Sequence, residues 1–163
     1  MSTLTSTPNR SASAEREDRP VEPIVAAIDA SAASRAAIDE AVSLAAELDA
    51  SLVFAYVRRA PAGVFGSPVY QQRLTTENER ARRVLDRALH IASTAEVEAE
   101  GEILEGSPGR RIVEFARDRS AQLVVVGSRR RRFGRSVARA VRRAADRPVV
   151  IAAPRMSHLA LAA

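Results

Sequence analysis

Cysteine is absent from this sequence. Disulfides and thiolate metal sites are thereby excluded, and nothing points to an oxidising compartment. Lysine is absent as well: all 25 basic residues are arginine. Arginine occupies every kind of basic position, so an arginine cluster alone is weak grounds for a binding site. No apolar run approaches the roughly 20 residues that a membrane helix needs, and the first residues lack the apolar segment of a secretory signal. A cytoplasmic protein without membrane association is the expectation. Walker and GxGxxG loops are missing, and no serine stands in a nucleophile constellation. His90 and His158 have no partner at ligand or catalytic spacing and belong to structure or surface. The pairs Asp39 with Glu40 and Glu114 with Asp118 fit exposed helix faces and intrahelical ion pairs. No catalytic residue and no metal ligand is assigned.

What is present suffices for one compact domain: 163 residues, 46% of them apolar. The net charge of +5 is modest because 20 acidic residues are interspersed with the arginines, and affinity for nucleic acid does not follow from it. Residues 1–20 are Ser, Thr, Pro and charge, the composition of a disordered tail. The domain is expected over 21–154, followed by a short tail at 155–163.

Within the domain, "PIVAAID" is a short apolar run. A helical pattern follows through Ala37, Ile38, Ala41, Val42, Ala45 and Leu48, capped by Ser31 or Ser34. Next come the β-rich "SLVFAYV", a loop marked by Pro and Gly, and a long amphipathic helix through Leu74, Ala81, Val84, Leu85, Ala88, Leu89 and Ala92. In "EVEAEGEIL" the residues Val97, Ala99, Gly101 and Ile103 alternate with glutamates, so only one face is expected to be buried. Ser107 and Pro108 open the next helix. "QLVVV" is apolar on both faces, as in the middle of a parallel sheet. A helix from about Arg135 to Ala145 and the strand "RPVVIAAP", bracketed by Pro148 and Pro154, complete the chain. Prolines at its ends suit an edge strand. Five strands alternating with four helices predict right-handed crossovers over a parallel sheet, an α/β three-layer sandwich of Rossmann-like type.

Ligands of such sheets lie outside the carboxyl ends of the strands. Two loops qualify: one after the first strand with Asp29 and Ser31, and one after the fourth with Gly127 and Ser128. Both open helices, whose free N–H groups favour phosphate. The second loop continues into "RRRRFGR", and so much positive charge at a helix N-terminus costs stability unless an anion answers it.

"AAIDAS", "EGSPGRRIVEFARDRSAQLVVVGSR" and "SVARAVRRAADRPVVIA" together resemble the universal stress protein family over residues 23–153. The resemblance implies the strand order 3-2-1-4-5 of the adenine nucleotide alpha hydrolase-like fold, with the Glu-rich strand and the Pro-flanked strand at opposite edges. It implies adenosine near Asp29, and phosphates wrapped by a loop of the pattern Gly, two residues, Gly, nine residues, Gly, then Ser or Thr. Asp29, Gly127, Ser128, Arg129, Ser136 and Val137 match. Arg130 and Arg135 stand where the second and third glycines belong, and the loop is shorter than the pattern. The glycines matter because they let backbone N–H groups approach phosphate, whereas arginine offers a bidentate fork from outside. The site is thus degenerate, with ATP or an AMP-like nucleotide as its ligand.

The expected function is a non-catalytic stress-response module that pairs with itself through the last strand or with a protein partner. A slow ATPase is the alternative. Nucleic-acid binding through the arginine loop with Arg139, Arg142, Arg143 and Arg147, four residues expected on one helix as a basic stripe, is a third class. It is disfavoured because Phe133 alone offers a stacking surface there.

Overall fold

The computed structural model describes residues 22–128 and 136–153. The N-terminal tail, the C-terminal tail and the arginine run with Arg129 lie outside the described residues. Strand β1 (Ile24–Ile28) leads through a tight turn into helix α1 (Ala32–Leu48), then β2 (Leu52–Arg58), α2 (Pro68–Thr94), β3 (Ala99–Glu105), α3 (Pro108–Asp118), β4 (Leu123–Gly127), α4 (Val137–Ala144) and β5 (Val149–Ala152). All strand pairs are parallel, and the order is β3-β2-β1-β4-β5. Both predicted edge strands are at the edges. No helix among the described residues is long and apolar enough to cross a membrane.

Alternation along the central strands builds two cores. Ile24, Ala26 and Ile28 of β1 pack with Leu52, Phe54 and Tyr56 of β2 against Ala37, Ile38 and Ala41 of α1 and Ala81 and Leu85 of α2. Val25, Val53, Ala55, Val124 and Val126 point the other way, onto Ile112, Val113 and Phe115 of α3 and Ala138 and Val141 of α4. Phe54 is the largest fully buried side chain among the described residues. Truncating such a residue to alanine typically costs about 3–5 kcal/mol.

The β3 edge departs in detail from the expected one-faced strand. Its glutamates are exposed, but Glu100 and Glu102 both pair with Arg119, and Leu104 on that same side is buried in the second core. The other side takes Gly101 against Leu85, whose Cδ2 lies 3.2 Å from where a Cβ would stand. Edge charges of this kind discourage further strand pairing.

Helix starts follow their caps. Ser31, Ser67 and Ser136 each accept a bond from the amide three residues on. Ser107 makes no such side-chain bond, and Pro108 alone sets the first turn of α3. The last helix begins at Val137, later than the expected Arg135, because the Ser136 cap defines its first turn.

Arg147 corrects the reading of a basic stripe. Its guanidinium donates to the carbonyls of Ala116 and Ala121, at 3.0 and 2.7 Å, and to Asp146 at 2.9 Å. It ties the end of α3 to the entry of β5 and is not displayed on a helix face. Arg139, Arg142 and Arg143 are exposed on α4. His90 is exposed within α2. His158 lies outside the described residues.

Candidate functional site

Parallel strands returning through helices place every strand's carboxyl end and every helix's N-terminus on one rim. Because Ala27 lies opposite Val126 in the β1–β4 ladder, Asp29 and Gly127 emerge side by side where the strand order reverses. Both line one crevice of about 380 Å³. Ser31, Ser136 and Val137 line it as well. Sequence reasoning thus named five residues that the fold brings together. Ser128 is not on the lining: its N–H donates to the Ala152 carbonyl at 2.7 Å, continuing the β4–β5 ladder. That amide is spent within the sheet. Arg129 lies outside the described residues.

Three local side-chain bonds hold the turn after β1, beside the backbone bond from the Ser34 N–H to the Ser31 carbonyl at 3.1 Å. The Asp29 N–H donates to Ser34 Oγ at 2.8 Å, the Ser31 N–H donates to Asp29 Oδ1 at 2.8 Å, and the Ser34 N–H donates to Ser31 Oγ at 3.3 Å. Asp29 is therefore a turn carboxylate in a fixed orientation. Ser31 is the helix cap. Ser34, the alternative cap, is buried at 4% exposure and braces the Asp29 backbone instead.

Gly127 has a steric reason to be glycine. A Cβ there would lie 2.3 Å from the Ala33 carbonyl oxygen and 2.7 Å from its carbon, so α1 starts in direct backbone contact with the end of β4.

The crevice combines apolar walls with helix ends. Ala55, Val57, Ile112, Val126 and Ala138 supply the apolar surface. Helices α1, α3 and α4 all begin on it, through Ser31, Pro108 and Ser136. N-termini carry partial positive charge and unbonded amides, so this rim suits an anion beside an apolar group. Burial, and then the nearby Glu77, push the Tyr56 phenol above its ordinary range at the neighbouring end of β2. Among the described residues no group of His, Asp or Glu is arranged to hold a metal ion.

The reading missed Val57, Arg59, Pro108 and Ile112, all on the lining. A signal existed for Arg59: "VRR" closes the strand that neighbours β1, and the carboxyl ends of neighbouring parallel strands share a rim. For Ile112 there was none, since its helical spacing says only that it is buried.

Comparison with known proteins agrees with this geometry. The family model described as "Universal stress protein family" matches residues 20–153. A universal stress family protein from Burkholderia pseudomallei is 29% identical, with 82% of this chain and 97% of that one covered, at a TM-score of 0.67. The universal stress protein from Archaeoglobus fulgidus in complex with dAMP is 28% identical, with coverage of 80% and 97% and a TM-score of 0.60. Another universal stress protein, in complex with cAMP, is 26% identical, with coverage of 82% and 98% and a TM-score of 0.63. None of the curated proteins compared matches. A family match over nearly the whole described chain, on the strand order that the family's resemblance implied, leads to one conclusion: the chain belongs to the universal stress protein family.

Proposed function

We propose that this chain is a stress-response module that holds an adenine nucleotide in the crevice between β1 and β4 and acts by association rather than turnover. The observation that carries the reading is the meeting of Asp29 and Gly127 on one apolar-walled crevice onto which three helices open. The complexes of its relatives with dAMP and cAMP support an adenine nucleotide as the class of ligand.

In this reading Asp29 meets the ribose or adenine, held in position by its bond from Ser31. The phosphate lies at Gly127, Ser136 and Val137, where the start of α4 offers amides and positive potential. Ser128 takes no part, since it is off the lining and its amide is occupied. ATP and AMP compete as ligands, and a mononucleotide suits a crevice of about 380 Å³. The module works in the cytoplasm as a homodimer joined through β5, the last strand of the sheet, whose Ile151 is 37% exposed.

Titration of the full chain with ATP, ADP and AMP, with and without Mg²⁺, tests the nucleotide part. Saturable heat at sub-millimolar ligand is expected. A flat titration up to millimolar nucleotide removes the reading.

A further inference from the structure

The crevice continues past Asp29. Asp29, Val57, Arg59 and Pro108 also line a second cavity of about 750 Å³, roughly twice the first. It lies between the tip of β2 and the first turns of α2. Strand alternation explains the division. Tyr56 belongs to the core on the α1 and α2 side, Arg58 follows two positions later on that face, and Val57 lies on the other. From α2, Arg73, Glu77 and Arg80 reach the same cavity at helical spacing.

Its lining is unbalanced in charge. Among the described residues, Arg58, Arg59, Arg73 and Arg80 are set against only Asp29 and Glu77 on this lining. Among the described residues, only Arg58 of these four has a close carboxylate partner. Arg80 is 3.9 Å from Glu77, at the outer limit of an ion pair. Arg73 gives Nη1 to the Ala62 carbonyl at 2.7 Å, which neutralises nothing. Arg58 meets Glu105 through Nη2, while its buried Nη1 has no acceptor among the described residues. Arg59 is exposed and joins no ion pair among the described residues. Guanidinium groups gathered on a concave surface repel one another, and a phosphate offers each a bidentate partner.

We propose that the crevice takes an adenine nucleotide bearing a second, separate phosphate, a nucleoside bisphosphate in class. One phosphate lies at the start of α4 and the other among Arg58, Arg59, Arg73 and Arg80. The inference rests on the nucleotide reading above and adds a second anionic subsite to it.

Calorimetry of the full chain with AMP, adenosine 3′,5′-bisphosphate and pyrophosphate tests it. The bisphosphate is expected to bind at least about tenfold tighter than AMP, the effect of one well-made charge-assisted contact, with pyrophosphate weaker than both. Combining Arg73→Gln with Arg80→Gln brings the ratio of bisphosphate to AMP affinity down to about one. Combining Arg142→Gln with Arg143→Gln removes the same charge from exposed α4 and keeps the ratio. Bisphosphate binding that depends on Arg73 and Arg80 upholds the inference even where AMP alone is too weak to register. A ratio near one in the unaltered chain overturns it while AMP binding leaves the nucleotide reading standing, and so does a ratio that both double variants lower equally. Pyrophosphate binding as tight as the bisphosphate overturns it in favour of a free-anion site. Silence from both nucleotides overturns the inference, and the ATP titration above then decides the nucleotide reading.

Discussion

Gly127 and Ala33 meet backbone to backbone, so closely that a single added carbon at 127 would stand 2.3 Å from the Ala33 carbonyl oxygen. The start of α1 and the end of β4 can approach this way only because residue 127 has no side chain. The two walls of the crevice are thus held together by a glycine whose value is its lack of volume.

Gly127→Ala is expected to lower stability by about 1–3 kcal/mol, because a rigid backbone carbonyl cannot move aside as a flexible side chain would. Urea unfolding followed by circular dichroism measures it. A change within about 0.5 kcal/mol, the range of ordinary surface substitutions, would show that the contact relaxes at no cost.

Ser34→Ala removes the hydroxyl that accepts the Asp29 N–H. The expected loss is about 1–3 kcal/mol, the cost of leaving a part-buried donor unsatisfied. Nucleotide affinity should fall with it, since the same bond fixes the turn that presents Asp29. Parallel unfolding and titration curves check both effects.

Asp29→Asn retains an oxygen for the Ser31 N–H and should keep the fold while weakening nucleotide binding. Asp29→Ala also loses the turn bond and should destabilise by about 0.5–2 kcal/mol, as other capping carboxylates do. Phosphate release from ATP distinguishes the slow-ATPase alternative: a rate proportional to protein and abolished in Asp29→Ala would establish turnover at this site, whereas an unchanged rate points to a contaminant.

Arg147→Ala should cost about 1.5–3 kcal/mol, because it leaves the Ala116 and Ala121 carbonyls without their charged donor. Arg147→Lys should recover little, since a single ammonium cannot reproduce the fork. Thermal unfolding of the two variants decides it.

Acid should weaken the same corner. A hydrogen bond from Arg147 holds the Asp146 carboxyl at about 2, below its ordinary 3.8, and Arg111 likewise holds Glu114 below the usual range. A depressed carboxyl contributes stability that is complete above its unfolded value and lost as pH falls through its folded one. The contribution of Asp146 therefore disappears between about pH 4 and 2. Asp146→Asn should flatten that part of the stability curve, and the exposure of both groups predicts that salt will flatten it too.

Much of this protein was legible in the sequence because its signals are local. Apolar runs, helical spacing and Ser or Pro at helix starts depend on neighbours a few residues apart, so the alternation of five strands and four helices could be read directly. Asp29, Gly127, Ser136 and Val137 could be singled out because strand ends and helix starts are themselves local features. The strand order came from the family resemblance, since periodicity alone does not order a sheet.

Tertiary structure decided what depends on distant partners. Only the β1–β4 ladder puts Asp29 beside Gly127, and only the backbone of Ala33 explains why residue 127 is glycine. The amide of Ser128 looked available until β5 claimed it, and Arg147 looked like part of a basic face until two carbonyls of the α3 end were found around it. Arg59 joins the site because β2 ends beside β1. A linear pattern records which residues are apolar or charged, but contact, desolvation and the choice of hydrogen-bond partner are set by residues that only the folded chain brings near.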